Sequence, residues 1–350
     1  MPDPPAGESL AARLARQIAA SGPITVADYM ARANAHYYAM RDPLGAAGDF
    51  ITAPEISQMF GELVGAWLAD LWQRSGAPGG CRYVELGPGR GTLAADALRA
   101  MRAAGLEPPV DLVETSRALR TLQAERLPQA RWHDTVDSLP DTGPLLIVAN
   151  EFFDALPIRQ FVTTGSGWTE RMVTHAEGGF LPLPGGRIDD SPIPEPFLLA
   201  PASTIFEASP AGAAVVAALS TRIAAQGGVL LIVDYGHANS ATGDTLQAVR
   251  SHRYADPWTE PGEADLTAHV DFEALARASP LRRFGPVEQG AWLRAIGIDL
   301  RADALARAAP DRASDIAAAR DRLVESDQMG LLFKVIALAA SGWADPAGFA

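Results

Sequence analysis

Residues 84–91 (VELGPGRG) constrain the fold of this 350-residue chain more than any other segment. Their apolar start is typical of a buried strand, and the alternating glycines that follow permit a tight turn into a helix. A strand, a glycine-rich turn and a helix in this order commonly begin a nucleotide-binding α/β sheet. The segment therefore predicts a parallel sheet whose first crossover lies beside a ligand, with a purely structural turn as the alternative.

The chain around this segment alternates between strand-like and helix-like patterns. Helices are predicted at 92–104, 116–126 and 210–226, and strands at 82–86, 110–114, 131–133, 145–149, 229–233 and 330–338. Alternating β and α units imply a doubly wound sheet, so we predict a Rossmann-like α/β fold.

Other segments depart from this alternation. Residues 158–173 are predicted as a β-hairpin, and residues 178–201, rich in proline and glycine, as a long loop. Together they suggest an insertion in the sheet at about 158–208. Residues 239–270 are predicted to be irregular, and residues 302–325 to be helical.

The domain organisation follows from these patterns. Residues 1–75 are predicted as an N-terminal helical segment with a loop, and residues 76–350 as the α/β domain that carries the insertion. A helix start is predicted at Thr52, because a capping threonine is followed by Pro54 in the first turn and by Glu55 three residues later.

Composition excludes several classes of function. The formal net charge of −13 argues against nucleic-acid binding, which requires a basic surface. The chain has no uninterrupted apolar run of membrane-spanning length, so no membrane insertion is expected. Cys81 is the single cysteine, which excludes a disulfide framework and a cysteine-based metal site.

The first twenty residues lack the features of a signal or transit peptide, which suggests the cytoplasm. Nothing in the sequence indicates an oligomeric state.

The glycine turn favours S-adenosyl-L-methionine over a dinucleotide. A nicotinamide site usually has a further glycine at the position of Thr92. Glu85 would repel a pyrophosphate, whereas it would bind the amino group of S-adenosyl-L-methionine directly or through water. Gly87, Gly89 and Gly91 let backbone N–H groups approach this cofactor.

Two further acids follow neighbouring strands. Glu114 stands at the end of the second strand, where the ribose hydroxyls of the cofactor need an acceptor. An acid favoured at a helix N-terminus is the alternative for Glu114. Asp134 follows the third strand, where it would accept from the adenine amino group, or be a solvated loop acid.

The end of the fourth strand carries the candidate catalytic residues, in the segment 150–157 (NEFFDALP). Ligands of open α/β sheets lie beyond the carboxyl ends of the strands. Asn150, Glu151 and Asp154 beside two phenylalanines suit a guanidinium, because carboxylates accept from its planar donors and aromatic rings stack on it. The alternative is that the aromatic rings are core and the acids cap a short helix.

Two more segments could contribute to this pocket. Residues 234–237 (DYGH) end another strand at the same edge of the sheet and are expected to line it. Residues 265–271 place a histidine among acids, but their spacing does not bring three ligands together, so no metal site is predicted.

Six motifs in order closely resemble the MidA-like S-adenosyl-L-methionine-dependent methyltransferases: GDFITAPEISQ (48–58), ELGPGRGTL (85–93), ANEFFDALPIRQ (149–160), DYG (234–236), DLTAHVDF (265–272) and MGLLFKVIAL (329–338). The resemblance runs from residue 48 to the C-terminal strand and is weak before residue 21 and across 300–325.

This resemblance implies the class I methyltransferase fold and protein arginine methylation. The mitochondrial members act as assembly factors of respiratory complex I, and they dimethylate an arginine of a core subunit symmetrically. A protein substrate, such as a respiratory-complex subunit, is therefore expected. By the same resemblance the loop 48–52 covers the cofactor, which adds Gly48 and Thr52 to the binding residues. Their alternatives are a simple turn at Gly48 and a helix cap at Thr52.

Other activities remain open at this point. A small-molecule methyltransferase would have a closed apolar cavity in place of an acidic groove near Glu151 and Asp154. A non-catalytic assembly factor would keep the cofactor as a structural ligand. A nicotinamide-dependent reductase is the most distant alternative.

Overall fold

The structure of the protein is a computed structural model that describes residues 8–40, 52–165, 167–188, 193–250 and 252–349. Its helices are α1 (Leu10–Ser21), α2 (Val26–Met40), α3 (Ala53–Ile56), α4 (Gln58–Arg74), α5 (Thr92–Ala103), α6 (Arg117–Arg126), α7 (Pro210–Gln226), α8 (Phe272–Arg277), α9 (Gln289–Ala295), α10 (Ile298–Ala308), α11 (Ala313–Val324) and α12 (Met329–Leu332). Its strands are β1 (Ile24–Thr25), β2 (Arg82–Leu86), β3 (Val110–Val113), β4 (Arg131–His133), β5 (Leu145–Asn150), β6 (Arg159–Thr164), β7 (Gly167–Ala176), β8 (Gly179–Arg187), β9 (Ile205–Ala208), β10 (Gly228–His237), β11 (Gln247–Arg250), β12 (Arg253–Ala255), β13 (Asp265–Thr267), β14 (Val270–Asp271), β15 (Arg282–Glu288) and β16 (Phe333–Ala339).

The central sheet has the strand order β15-β16-β10-β5-β2-β3-β4, and β14 pairs with the end of β10. Strands β10, β5, β2, β3 and β4 are mutually parallel, whereas β16 is antiparallel to both β10 and β15. The predicted α/β fold with a doubly wound sheet is thereby confirmed. The carboxyl ends of β2, β3, β5 and β10 meet at one edge, where ligands of such sheets bind.

Helices cover both faces of this sheet. Alternate residues of β5 point to opposite faces: Leu146 and Val148 pack with α4 and α5, whereas Leu145 and Ile147 pack with α7 and α8. Burial on both faces explains why β5 is an unbroken apolar run rather than an alternating one. The apolar stripe of α4 belongs to the first of these two layers, as its spacing predicts.

The insertion supplies β6, β7, β8 and β9 of a second sheet of order β1-β7-β6-β9, in which β8 pairs with β7 and the N-terminal segment adds β1. The prediction of a long loop over 178–201 is therefore wrong for its first part, which is β8. Glu177 and Gly178 both have positive φ, which makes the two-residue turn that joins β7 to β8. Prolines obscured this strand in the sequence, but an edge strand tolerates them.

Four other segments also differ from expectation. The region 239–270 contains the small sheet β12-β11-β13 rather than only irregular structure. Pro310 stands between α10 and α11 and divides the predicted helix, because proline cannot continue a helix interior. The predicted strand at 330–338 begins only at Phe333, after the short helix α12, and β15 was not predicted.

At the predicted helix start, α3 begins at Ala53 with Pro54 in its first turn. Thr52 is the N-cap residue of α3, so the predicted helix start is confirmed, but the Thr52 side chain makes no capping hydrogen bond and α3 already ends at Ile56. Ser57 instead caps the following helix α4. Within the described ranges, no helix is both long enough and apolar enough to span a bilayer.

Candidate active site

A cavity of about 690 Å³ opens at the carboxyl edge of the central sheet. The residues that end β2, β3 and β5 line one side of it, and residues of α2 together with Thr52, Pro54 and Glu55 line the other. This volume is in the range of pockets that hold a cofactor-sized ligand.

The glycine turn brings backbone to the cavity wall. Gly87 and Gly89 line the cavity and have φ of 58° and 54°, a conformation that suits glycine. A Cβ on Gly87 would lie 3.0 Å from Cδ2 of Phe152, so a side chain there would crowd the ring. Gly91 does not line the cavity but precedes α5, with φ of 74°.

Glu85 lines the cavity at the end of β2, with only 3% of its surface exposed. The hydroxyl of Tyr83 donates to its Oε2 at 2.6 Å. Burial raises the pKa of Glu85 to about 8, although the hydrogen bond from Tyr83 opposes this shift. A cationic ligand group in the cavity would favour the charged carboxylate.

Glu114 lies in the same wall, and its carboxylate is held by two donors. The backbone N–H of Ser116 donates to Oε1 at 2.7 Å, and Nε2 of Gln123 donates to Oε2 at 3.3 Å. The same Nε2 donates to the carbonyl oxygen of Gly89 at 2.6 Å, which connects Glu114 to the glycine turn. Since a carboxylate has about four acceptor positions, Glu114 retains capacity for a pair of hydroxyls.

Asn150 and Glu151 also line the cavity, at the end of β5. Oε1 of Glu151 accepts from the backbone N–H of Ala53 and from Nδ2 of Asn150, each at 3.0 Å. Glu151 has φ of 50°, a left-handed conformation that is uncommon outside glycine and often marks functional positions. Oδ1 of Asn150 is buried without a hydrogen-bond partner among the residues that the structure describes.

Burial, together with the smaller effect of the Asp154 charge, raises the pKa of Glu151 to about 7. The hydrogen bonds from Ala53 and Asn150 and the charge of Arg322 act in the opposite direction. The carboxyl group therefore titrates close to neutral pH, where a side chain can both accept and release a proton.

Asp154 does not line the cavity but lies buried behind its wall. Burial raises the pKa of Asp154 to about 6, while a hydrogen bond with Tyr235 lowers it. Residues 234–237, which were expected to line the pocket, also lie outside the cavity wall. Asp234 and Tyr235 instead contact the loop 151–154 from behind.

One predicted cofactor residue, Asp134, lies away from the cavity. Asp134 is 81% exposed at its side chain, forms an ion pair with Arg120 at 2.6 Å, and does not line the cavity. Gly48 lies outside the described residues. Thr52 lines the cavity, in agreement with the position expected of a covering segment.

Sequence reasoning missed Asn34 and Tyr38, which reach the cavity from α2. Nδ2 of Asn34 donates to the carbonyl oxygens of Ala155 and Leu266, at 3.0 and 2.7 Å, and so links α2 to the loop after β5. These two polar residues are four apart in a helix with an apolar face, a spacing that places them on one side. That spacing was the signal available in the sequence.

Glu55 was also missed as a cavity residue. The hydroxyl of Thr92 donates to Oε1 of Glu55 at 2.5 Å, and Arg126 in turn donates to that hydroxyl. Thr92, which stands where a dinucleotide site usually has a further glycine, therefore connects the start of α5 to α3.

The donor and acceptor groups of this cavity fit S-adenosyl-L-methionine. Glu85 offers a carboxylate for an ammonium group, Glu114 offers acceptors for ribose hydroxyls, and Oδ1 of Asn150 offers a buried acceptor. The glycine turn offers close backbone approach between Glu85 and Glu114.

Comparison with known proteins agrees with this assignment. Residues 63–286 match the sequence model of a family described as S-adenosyl-L-methionine-dependent methyltransferase. The protein arginine methyltransferase NDUFAF7 homologue of Drosophila melanogaster, a mitochondrial protein, is 37% identical over 94% of this chain and 84% of its own. The human mitochondrial protein arginine methyltransferase NDUFAF7 is 35% identical over 92% of this chain and 81% of its own.

Solved structures are similar over nearly the whole length. A protein from Burkholderia thailandensis, described as a methyl transferase and bound to S-adenosyl-homocysteine, has a TM-score of 0.85 and 27% identity, covering 97% of this chain and 93% of its own. A native structure from the same organism has a TM-score of 0.80 and 29% identity, covering 96% and 92%.

Proposed function

The chain belongs to this family of S-adenosyl-L-methionine-dependent methyltransferases, and we propose that it methylates arginine side chains of a protein. The names of its relatives and the acidic residues at the end of β5 support the choice of arginine. Methyl transfer from S-adenosyl-L-methionine, irrespective of the acceptor, is common to the family.

The part of the proposed site that binds the methyl donor comprises Glu85, Glu114 and the turn through Gly87 and Gly89. S-adenosyl-L-methionine supplies an electrophilic methyl group on its sulfonium when bound. Glu85 would hold the amino group and Glu114 the ribose hydroxyls, while the glycine backbone lets the cofactor lie close to the sheet edge. Thr52, and Gly48 by family resemblance, would cover the bound cofactor.

The adenine end of the cavity requires a different residue from the one predicted. Asp134 is exposed and paired with Arg120, whereas residues 115–119 line the wall beyond Glu114. We therefore assign the adenine to this segment in place of Asp134.

One observation carries the choice of acceptor: the carboxylate of Glu151 lines the same cavity as Glu85, and its hydrogen-bond donors Ala53 and Asn150 are neutral. Glu151 and the buried Asp154 have raised pKa values because burial disfavours their charge. A guanidinium bound in the cavity beside Glu151 would compensate the charge of Glu151 and favour its ionised form. An apolar acceptor would leave the charge uncompensated.

Glu151 would have two tasks in the transfer. Its carboxylate would hold the guanidinium so that one nitrogen faces the methyl group, which lowers the barrier through alignment. As an ionised carboxylate it would also accept the proton that the methylated guanidinium loses after transfer. Asn150 positions Glu151 through the hydrogen bond to Oε1.

The partner proposed on family resemblance is a protein subunit of a respiratory complex. The cytoplasm is the proposed compartment, whereas the eukaryotic relatives are mitochondrial proteins. The negative net charge of −13 is compatible with an arginine-rich substrate segment. Symmetric dimethylarginine is the product that the resemblance implies.

The test uses the purified chain, methyl-labelled S-adenosyl-L-methionine and lysate protein from a strain that lacks the enzyme. We expect label in the protein fraction, recovered as methylarginine after acid hydrolysis. Label confined to small molecules would instead indicate a small-molecule methyltransferase. Tight cofactor binding without any transfer would indicate a non-catalytic assembly factor.

A further inference from the structure

The carboxylate of Asp234 accepts hydrogen bonds from successive backbone N–H groups of the loop after β5. Oδ2 accepts from Phe152, Phe153 and Asp154, at 3.2, 2.9 and 3.3 Å. Oδ1 accepts from the N–H of Tyr235 at 2.9 Å. Asp234 lies near the end of β10 and is fully buried, at 0% exposed. A concave row of backbone N–H groups around an anion is a recurrent way to fix a short loop.

The loop that Asp234 holds is the one that presents Glu151 to the cavity. The backbone N–H of Glu151 donates to the carbonyl oxygen of Val233 at 2.9 Å, so two adjacent residues of β10 hold both ends of the loop. Glu151 is left-handed at φ of 50°, a conformation that persists only where surrounding contacts enforce it. The Asp234 carboxylate provides such contacts immediately after this strained residue.

We infer that Asp234 is a positioning residue for methyl transfer, which fixes the loop 151–154 and thereby directs Glu151 to the acceptor. This inference rests on the proposed function, in which Glu151 contacts the arginine substrate. Asp234 itself does not line the cavity, so it acts through the loop and not on the substrate.

The partners of Asp111, another buried aspartate, show how a residue that stabilises the fold differs from Asp234. Asp111 is also fully buried in the central sheet, on β3, but its carboxylate is paired with Arg82 at 2.7 Å and with His133 at 2.9 Å. Asp234 is bonded to backbone N–H groups and lies beside two other acids, Glu151 and Asp154, which is unfavourable for folding. Local features that disfavour folding are characteristic of functional positions.

The choice of aspartate at this position has a chemical reason. Both carboxylate oxygens accept hydrogen bonds, one from the loop and the other from Tyr235. In Asp234→Asn the amide oxygen can still accept from the loop, but the amide nitrogen then faces the N–H of Tyr235, donor against donor. Asp234→Ala removes every one of these acceptors.

The test compares D234N and D234A with the matched control D111N in the full chain. Three quantities are measured: the affinity for S-adenosyl-homocysteine by calorimetry, amide hydrogen exchange of residues 152–154, and the initial rate of methyl transfer into lysate protein at saturating S-adenosyl-L-methionine. The rate is expressed per S-adenosyl-homocysteine-binding site, so that unfolded molecules do not count.

For D234A we expect faster exchange of the amides 152–154 and a rate per site lower by about 100-fold at saturating S-adenosyl-L-methionine, since small misplacements of reacting groups have effects of this size. D234N should fall between D234A and the native chain, which is a partial rescue by the conservative variant. D111N should retain the native rate per site even where it melts at a lower temperature.

The inference would be overturned if the amides 152–154 exchanged at the native rate in both Asp234 variants. It would also be overturned if the rate of methyl transfer per site in both variants stayed within threefold of the native value. If D234A does not fold, D234N alone decides between these outcomes. If the native chain itself methylates no arginine, the proposed function fails, while the exchange measurement still shows whether Asp234 fixes the loop.

Discussion

The backbone N–H of Ala53 donates a hydrogen bond to Oε1 of Glu151, at 3.0 Å. Ala53 begins α3, and Glu151 follows β5 and lines the cavity together with Pro54 and Glu55 of α3. The proposed acceptor-binding acid is therefore also bonded to the segment that we propose covers the cofactor. Nδ2 of Asn150 donates to the same oxygen, so the orientation of Glu151 is fixed from both sides.

Replacing Glu151 by glutamine should abolish most methyl transfer without loss of cofactor binding. Glu151→Gln keeps an acceptor oxygen for Ala53 but removes the charge that holds the guanidinium and takes up its proton. We expect the rate to fall by at least about 100-fold, the lower range for a general base. Labelled methyl transfer and calorimetry with S-adenosyl-homocysteine measure the two quantities. The matched control is Glu107→Gln at an exposed position, which should behave as the native chain.

Cofactor binding should release a proton near neutral pH. Burial raises the pKa of Glu85 to about 8, so the empty site holds this carboxyl protonated at pH 7. The ammonium group of the bound ligand favours the ionised form, so the complex binds fewer protons and affinity rises with pH up to about 8. The slope is at most about tenfold per pH unit, which corresponds to one proton.

Calorimetry with S-adenosyl-homocysteine in buffers of different ionisation enthalpy measures this proton. Glu85→Gln should remove the buffer dependence and weaken binding, because an amide does not titrate. A native chain whose binding heat at pH 7 is the same in every buffer would show that Glu85 is not the ammonium ligand.

Substitution of Gly87 should disturb the cavity and not only the backbone. Gly87→Ala would strain a position with φ of 58° and place a Cβ 3.0 Å from the Phe152 ring. We expect at least tenfold weaker binding of S-adenosyl-homocysteine. Gly105→Ala is the matched control, because Gly105 also has positive φ, 83°, but has open space around it. Both variants should melt at a lower temperature, and equal loss of affinity in both would contradict the proposed role of the turn.

The contact between Thr92 and Glu55 should contribute to cofactor affinity. Thr92→Ala removes a hydrogen bond to a carboxylate, a type of bond worth about 1.5–3 kcal/mol. If this bond holds α3 over the cavity, the dissociation constant for S-adenosyl-homocysteine should rise by about tenfold. Thr121→Ala is the control, since Thr121 donates within an exposed helix turn to Arg117. If Thr92→Ala binds S-adenosyl-homocysteine with unchanged affinity, the contact with α3 does not contribute to cofactor binding.

The strand ends of the sheet could be predicted from the sequence, and much of the site with them. Glu85, Glu114 and Glu151 each follow an apolar run, and parallel strands bring their carboxyl ends to one edge. The sequence pattern was sufficient to predict these strand ends, because the apolar residues that bury each strand lie within the strand itself.

The contributions that depend on tertiary packing could not be predicted. The spacing of Asn34 and Tyr38 places them on one side of α2, but only the docking of α2, which the sequence does not indicate, brings that side to the cavity. Asp134 follows a strand as Glu114 does, yet an ion pair with Arg120 keeps it at the surface. The role of Asp234 is visible only once the loop 151–154 is seen to fold over it.

A crystal structure of the chain bound to S-adenosyl-homocysteine would show directly whether this cavity holds the cofactor beside Glu151. We expect the amino group on Glu85, the ribose on Glu114, and the sulfur facing Asn150 and Glu151. A complex in which the sulfur faces away from Glu151, or in which the ligand binds outside this cavity, would contradict this expectation.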